Sequence, residues 1–125
     1  VKRILIVLLL ATMIGCKTMI PVNFNIKNDN HQAFAFNMAI SYLEAKGYPI
    51  GDNVKQPMVV IHSSPKMLQF TLGLSKEFKG WYNPITKTVH LTVGCGPKVI
   101  VHEIKHFLLH SIGVPIELHH EIMGL

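Results

Sequence analysis

Residues 80–113, GWYNPITKTVHLTVGCGPKVIVHEIKHFLLHSIG, decide the fold. Trp81-Tyr82, the turn residues Asn83-Pro84-Ile85-Thr86 and the segment Thr88-Val89-His90-Leu91-Thr92-Val93 predict a β-hairpin. In its second strand Val89, Leu91 and Val93 share one face, and Thr88, His90 and Thr92 share the other. Gly94-Cys95-Gly96-Pro97 ends that strand. Proline is suited to the first helical turn, where its missing N–H costs nothing, so a helix is expected over residues 99–112. Gly113 is placed to close it.

Upstream, Asn28-Asp29-Asn30 offers capping side chains, and Gln32 follows Asp29 by three residues, as in a capping box. Ala33, Phe36, Ile40 and Leu43 recur at helical steps and predict a helix over residues 30–46, ended by Gly47. Met58-Val59-Val60-Ile61, between Pro57 and Ser63-Ser64-Pro65, is a short buried strand. Residues 66–73 fit either a short helix or a strand, and residues 114–125 form a short tail. The expected fold class is α+β: a small mixed sheet with an edge hairpin, packed on an N-terminal helix and on the helix of residues 99–112. One domain over residues 28–125 accounts for it.

The first residues carry a different signal. Lys2 and Arg3 precede an uncharged apolar run, residues 4–14, of about 11 residues. That is short of the roughly 20 residues a membrane-spanning helix needs. Met13-Ile14-Gly15-Cys16 closes the run and resembles the lipobox of bacterial lipoproteins. The resemblance implies that residues 1–15 are a signal peptide, that Cys16 is lipidated and becomes the mature N-terminus, and that residues 16–27 are a tether. It places the domain outside the cytoplasm, on the cell envelope, with the membrane as a partner through the lipid anchor. The other reading is an ordinary leader containing a cysteine.

Loss of Lys2 and Arg3 lowers the formal charge of +5 by two, and the remaining lysines are scattered, which argues against a nucleic-acid surface. Cys95 is then the sole unmodified cysteine, so an internal disulfide is excluded. A monomer is expected.

The chemistry lies in His102-Glu103-Ile104-Lys105-His106. Histidines four apart on a helix point the same way, one turn apart, and can share a metal ion. Glu103, beside the first, reaches a metal-bound water without ligating. Zinc acidifies such a water, and a carboxylate can take its proton and pass it on. The competing reading is a core helix with two structural histidines, but buried polar groups need partners, and three on one face need an explanation.

These residues resemble the active-site helix of the zincin metallopeptidases, matching at His102, Glu103 and His106 and departing at Lys105, where that family keeps an uncharged residue. The strict metzincin pattern fails, because Leu109 and Ile112 stand where its glycine and third histidine belong. Gly113, then His119-His120, then Ile122-Met123 resemble the metzincin order with about one helical turn inserted. The resemblance implies zinc held by His102, His106 and either His119 or His120, with Met123 beneath it as the Met-turn residue. A thermolysin-like arrangement would use Glu117 or Glu121 instead. The implied activity is zinc-dependent peptide-bond hydrolysis at the cell envelope, on a peptide or protein substrate, with Glu103 as the catalytic base and acid. The alternatives are a catalytically weak zincin-like lipoprotein that binds metal or peptide, and a structural envelope protein whose histidines hold a metal. An intact Glu103 favours the enzyme.

Other residues have plainer expectations. His110 is a helix-end histidine, His62 and His90 are strand-face residues, and His31 is exposed. Trp81 packs the core, Tyr82 is a candidate oxyanion stabiliser, and Cys95 is a small buried residue at a helix start. The zincin resemblance also implies that the hairpin edge binds an extended substrate by strand addition.

Overall fold

The computed structural model describes residues 23–124. The leader, Cys16 and most of the proposed tether lie outside the described residues. The chain forms helix α1 (Asp29–Ala45), strand β1 (Met58–His62), helix α2 (Pro65–Leu72), strands β2 (Gly80–Asn83) and β3 (Thr88–Thr92), and helix α3 (Pro97–Ser111). A 3₁₀ turn (Ile116–Leu118) then leads into the short helix α4 (His119–Ile122). The architecture is α+β.

The α1 cap is Asn28, whose side chain accepts from the N–H groups of Asn30 and His31. Gln32 does not close a capping box on Asp29; its amide donates to the Ile26 carbonyl at 2.7 Å. The buried stripe is also wider than the sequence spacing predicts. Ala35 and Ala39 are fully buried beside Phe36, Ile40 and Leu43, while Ala33 is only half-buried. The two small alanines let α1 lie closely against α3, its principal neighbour. Residues 66–73 resolve as helix α2. Ser64 caps it by accepting from Met67 N–H at 3.1 Å, Pro65 opens it, and Gly73 at φ 67° ends it in the left-handed region.

The sheet order is β1-β3-β2, with β1 parallel and β2 antiparallel to β3. Central β3 is buried along its whole length, so Thr88, His90 and Thr92 face protein rather than water. The reason is α2, which covers that side. On the other side Tyr82, Val89 and Leu91 join α3 residues Ile100, Ile104 and Leu108 and the α1 stripe in one core. Each such large aliphatic or aromatic side chain contributes roughly 1.5–3 kcal/mol on burial. Ile26 belongs to the same core at 3% exposure, so the packed region begins before residue 28 and the last tether residues are part of the fold. The C-terminal tail is folded as well: the Tyr42 hydroxyl donates to the Met123 carbonyl at 2.9 Å, and Lys46 Nζ to that of Ile122 at 2.7 Å. Among the described residues no helix is long and apolar enough to cross a membrane.

Candidate metal centre

Helix α3 is apolar on the sides that meet the sheet and α1, and this orients its remaining face. His102 and His106 lie on that face one turn apart, with ring centroids 4.8 Å apart. Gly113, at φ 85°, turns the chain back after α3. The 3₁₀ turn and α4 then carry two more histidines over the same face. His106 Nε2 lies 3.2 Å from His102 Nε2 and 3.1 Å from His120 Nε2. The ligand atoms of His102, His106 and His120 all lie within 4.8 Å of one another, and this group could hold a metal ion. Glu117 and Glu121 are exposed and stand outside it.

Adjacent residues His119 and His120 are placed differently. His120 is exposed and reaches the triplet. His119 is fully buried at 0% exposure, behind His106. Its Nδ1 is 2.9 Å from His106 Nδ1, and its Nε2 is 2.9 Å from the Val114 carbonyl. Burial and the neighbouring imidazoles push the pKa of His106 down to about 3. Burial likewise lowers those of His102 and His119. Neutral imidazoles keep the lone pairs that a cation needs.

Glu103 is 8% exposed, with Oε2 4.0 Å from His102 Nε2. Burial raises its pKa to about 7, opposed by a hydrogen bond from the Tyr82 backbone N–H. The sheet and the motif helix therefore meet at this carboxylate. Gly80 makes the approach possible: a Cβ there would lie 2.7 Å from Val99 Cγ1 and 3.0 Å from Glu103 Cγ.

In front of the triplet is a cleft of about 340 Å³. His102, Glu103, His106 and His120 are its polar lining, and Phe78, Trp81, Pro84 and Ile116 are among the rest. Trp81 is thus a half-buried cleft residue tilted against Phe78, not a core residue; buried Tyr82 fills that role. The Tyr82 hydroxyl is 2.8 Å from His110 Nδ1, and burial raises its pKa to about 12, which keeps it protonated there. His110 is accordingly a partner of the hairpin. His90 pairs with His62, Nδ1 to Nε2 at 2.9 Å. His31 is not free in solvent: its Nδ1 accepts from Asn25 N–H at 2.8 Å and its ring stacks on Phe24. Cys95 is buried. Lys105, the departure from the zincin pattern, lies with Nζ 3.4 Å above the Tyr42 ring, and after burial and His120 its charge helps to lower the pKa of His102. Met123 is 6% exposed and packs in the core, and it shares with His102 an apolar cavity of about 380 Å³ between α1 and α3.

Sequence spacing alone did not reveal the roles of Gly80 and Trp81, because both depend on how β2 docks on α3. No family model matches the chain, and neither a curated protein nor a solved structure matches it.

Proposed function

We propose that the protein is a zinc-dependent peptide hydrolase of the zincin type, with His102, His106 and His120 as metal ligands and Glu103 as proton carrier. The observation that carries this reading is the convergence of three imidazole nitrogens beside a buried carboxylate, in a cleft walled by an edge strand. The donor set suits zinc. At Zn–N distances of ~2.0–2.1 Å, tetrahedrally placed nitrogens are ~3.3 Å apart; two of the three separations, 3.1 and 3.2 Å around His106 Nε2, are close to this, and the third is within 4.8 Å, so His102 and His120 would draw together on the ion. Three protein ligands also match the open site of catalytic zinc rather than the closed four-ligand site of structural zinc.

Zinc held by His102, His106 and His120 would supply a Lewis acid and would acidify a bound water toward a pKa of ~7. The rest falls to the chain. Glu103 Oε2 takes a proton from the attacking water and returns it to the departing amine nitrogen. Gly80, with no side chain, leaves room for that carboxylate against β2. Edge strand β2 offers main-chain partners to an extended peptide, and Phe78, Trp81 and Ile116 accept its apolar side chains. With the lipobox reading of residues 13–16, the domain works as a lipid-anchored monomer on envelope proteins or peptides.

The deciding experiment is metal analysis of the purified domain together with cleavage of a broad peptide library, with and without chelator. Glu103→Gln should keep zinc and lose activity by about 10²–10⁴, the usual contribution of general acid–base catalysis. Zinc loss in Glu103→Gln makes the glutamate a ligand and ends this mechanism. Tight zinc binding with no cleavage, unchanged in Glu103→Gln, establishes a binding module instead.

A further inference from the structure

Two hydrogen-bonding contacts behind the triplet fix more than they first show. The Val114 carbonyl can only accept, so the His119 Nε2 facing it at 2.9 Å carries a hydrogen. A neutral imidazole with hydrogen on Nε2 has its lone pair on Nδ1. That atom faces His106 Nδ1 at 2.9 Å, so His106 carries its hydrogen there and leaves Nε2 bare. His106 Nε2 is the nitrogen at the centre of the triplet, within 3.2 Å of both His102 and His120.

We propose that His119 is a positioning residue, accepting from His106 Nδ1 and passing the demand on to the Val114 carbonyl, so that His106 is held in the tautomer and orientation that present Nε2 to the metal. The inference rests on the ligand assignment above. Metal-binding histidines generally have their second nitrogen fixed by a carboxylate, a carbonyl or water. Here a second histidine relays the bond from the Val114 carbonyl. His119 is fully buried, so water is kept from taking its place. The tandem His119-His120 thereby divides its work: one ring faces the metal side of His106 and the other its rear.

The test begins with the metal-free, ¹⁵N-labelled protein at a pH above the histidine range. Nuclear magnetic resonance should show His106 as the Nδ1–H tautomer and His119 as the Nε2–H tautomer. His106 protonated on Nε2 overturns the proposal. Next, zinc affinity is measured by competition with a chromophoric chelator. His119→Phe keeps an aromatic ring but has neither acceptor nor donor, and affinity should fall about 10- to 100-fold. His119→Gln keeps both functions and should recover most of the loss. Wild-type affinity in His119→Phe, or no recovery in a folded His119→Gln, refutes the role. Should His119→Phe fail to fold, the wild-type tautomers decide alone. Expected tautomers in a protein that binds no zinc uphold the hydrogen-bond relay and reject the hydrolase reading, so the two failures are distinct.

Discussion

Gly80 faces Glu103 across the sheet–helix interface, and a side chain at residue 80 would crowd the carboxylate and overlap Val99. Its Cβ would sit 3.0 Å from Glu103 Cγ, 3.2 Å from Oε2 and 2.7 Å from Val99 Cγ1. Gly80→Ala should therefore move Glu103 or push β2 off α3. We expect peptide hydrolysis to fall at least ~10-fold with zinc content unchanged, and stability to drop by about 1–3 kcal/mol from overpacking. Turnover, metal content and denaturant unfolding of one preparation check all three. A fully active Gly80→Ala enzyme contradicts the fixed placement of Glu103.

The ligand assignment predicts a sharp division among the histidines. Ala at His102, His106 or His120 should each reduce zinc retained after dialysis against a fixed weak chelator. Ala at His62 or His90, which pair with each other elsewhere on the sheet, should leave it at one ion per chain. Glu117→Gln and Glu121→Gln should also be silent. Zinc loss in either glutamine variant points to the thermolysin-like ligand set.

Tyr42 anchors the segment that brings in the third ligand. Its hydroxyl bonds the Met123 carbonyl, next to the Lys46 bond to Ile122. Tyr42→Phe should cost about 1 kcal/mol of stability, typical of one net hydrogen bond. Looser seating of α4 should also weaken zinc binding, though less than loss of a ligand does. Chelator competition on the folded variant measures this, and unchanged affinity means that core packing alone seats α4.

Acid should destabilise the metal-free protein through His90. Burial, and then neighbouring His62, lower its pKa in the fold. Unfolded histidine titrates near ~6.5. Above that value both states are neutral and pH has no effect through this group. As pH falls below it, the unfolded chain takes the proton first, and folding stability declines. His90→Leu removes this contribution, so its unfolding midpoint should change less between neutral pH and about pH 5 than that of the wild type. Parallel curves for the two proteins rule His90 out as a source of acid lability.

What was legible in the sequence was what is local. The hairpin, the proline start of α3 and the His102–Glu103–His106 face all follow from residues within a few positions of one another. The α2 segment was ambiguous because eight residues with mixed periodicity fit helix or strand; its serine cap and left-handed glycine decide it. Alternation in β3 reveals two faces without revealing that both are buried. His119 and His120 were inseparable in sequence, since their directions depend on how the 3₁₀ turn presents α4. Nothing local marked Ile26 as a core residue, because its neighbours form no periodic element.

The shortness of β2 limits strand pairing at this edge of the sheet as well as shaping the cleft. An exposed sheet edge can template pairing with a second copy of the same chain. This edge is four residues long and is followed at once by Pro84, which has no N–H to continue a ladder. On the proposed function a short extended guest would need only a few backbone groups of this edge, whereas a second copy pairing at β2 would gain only a short ladder.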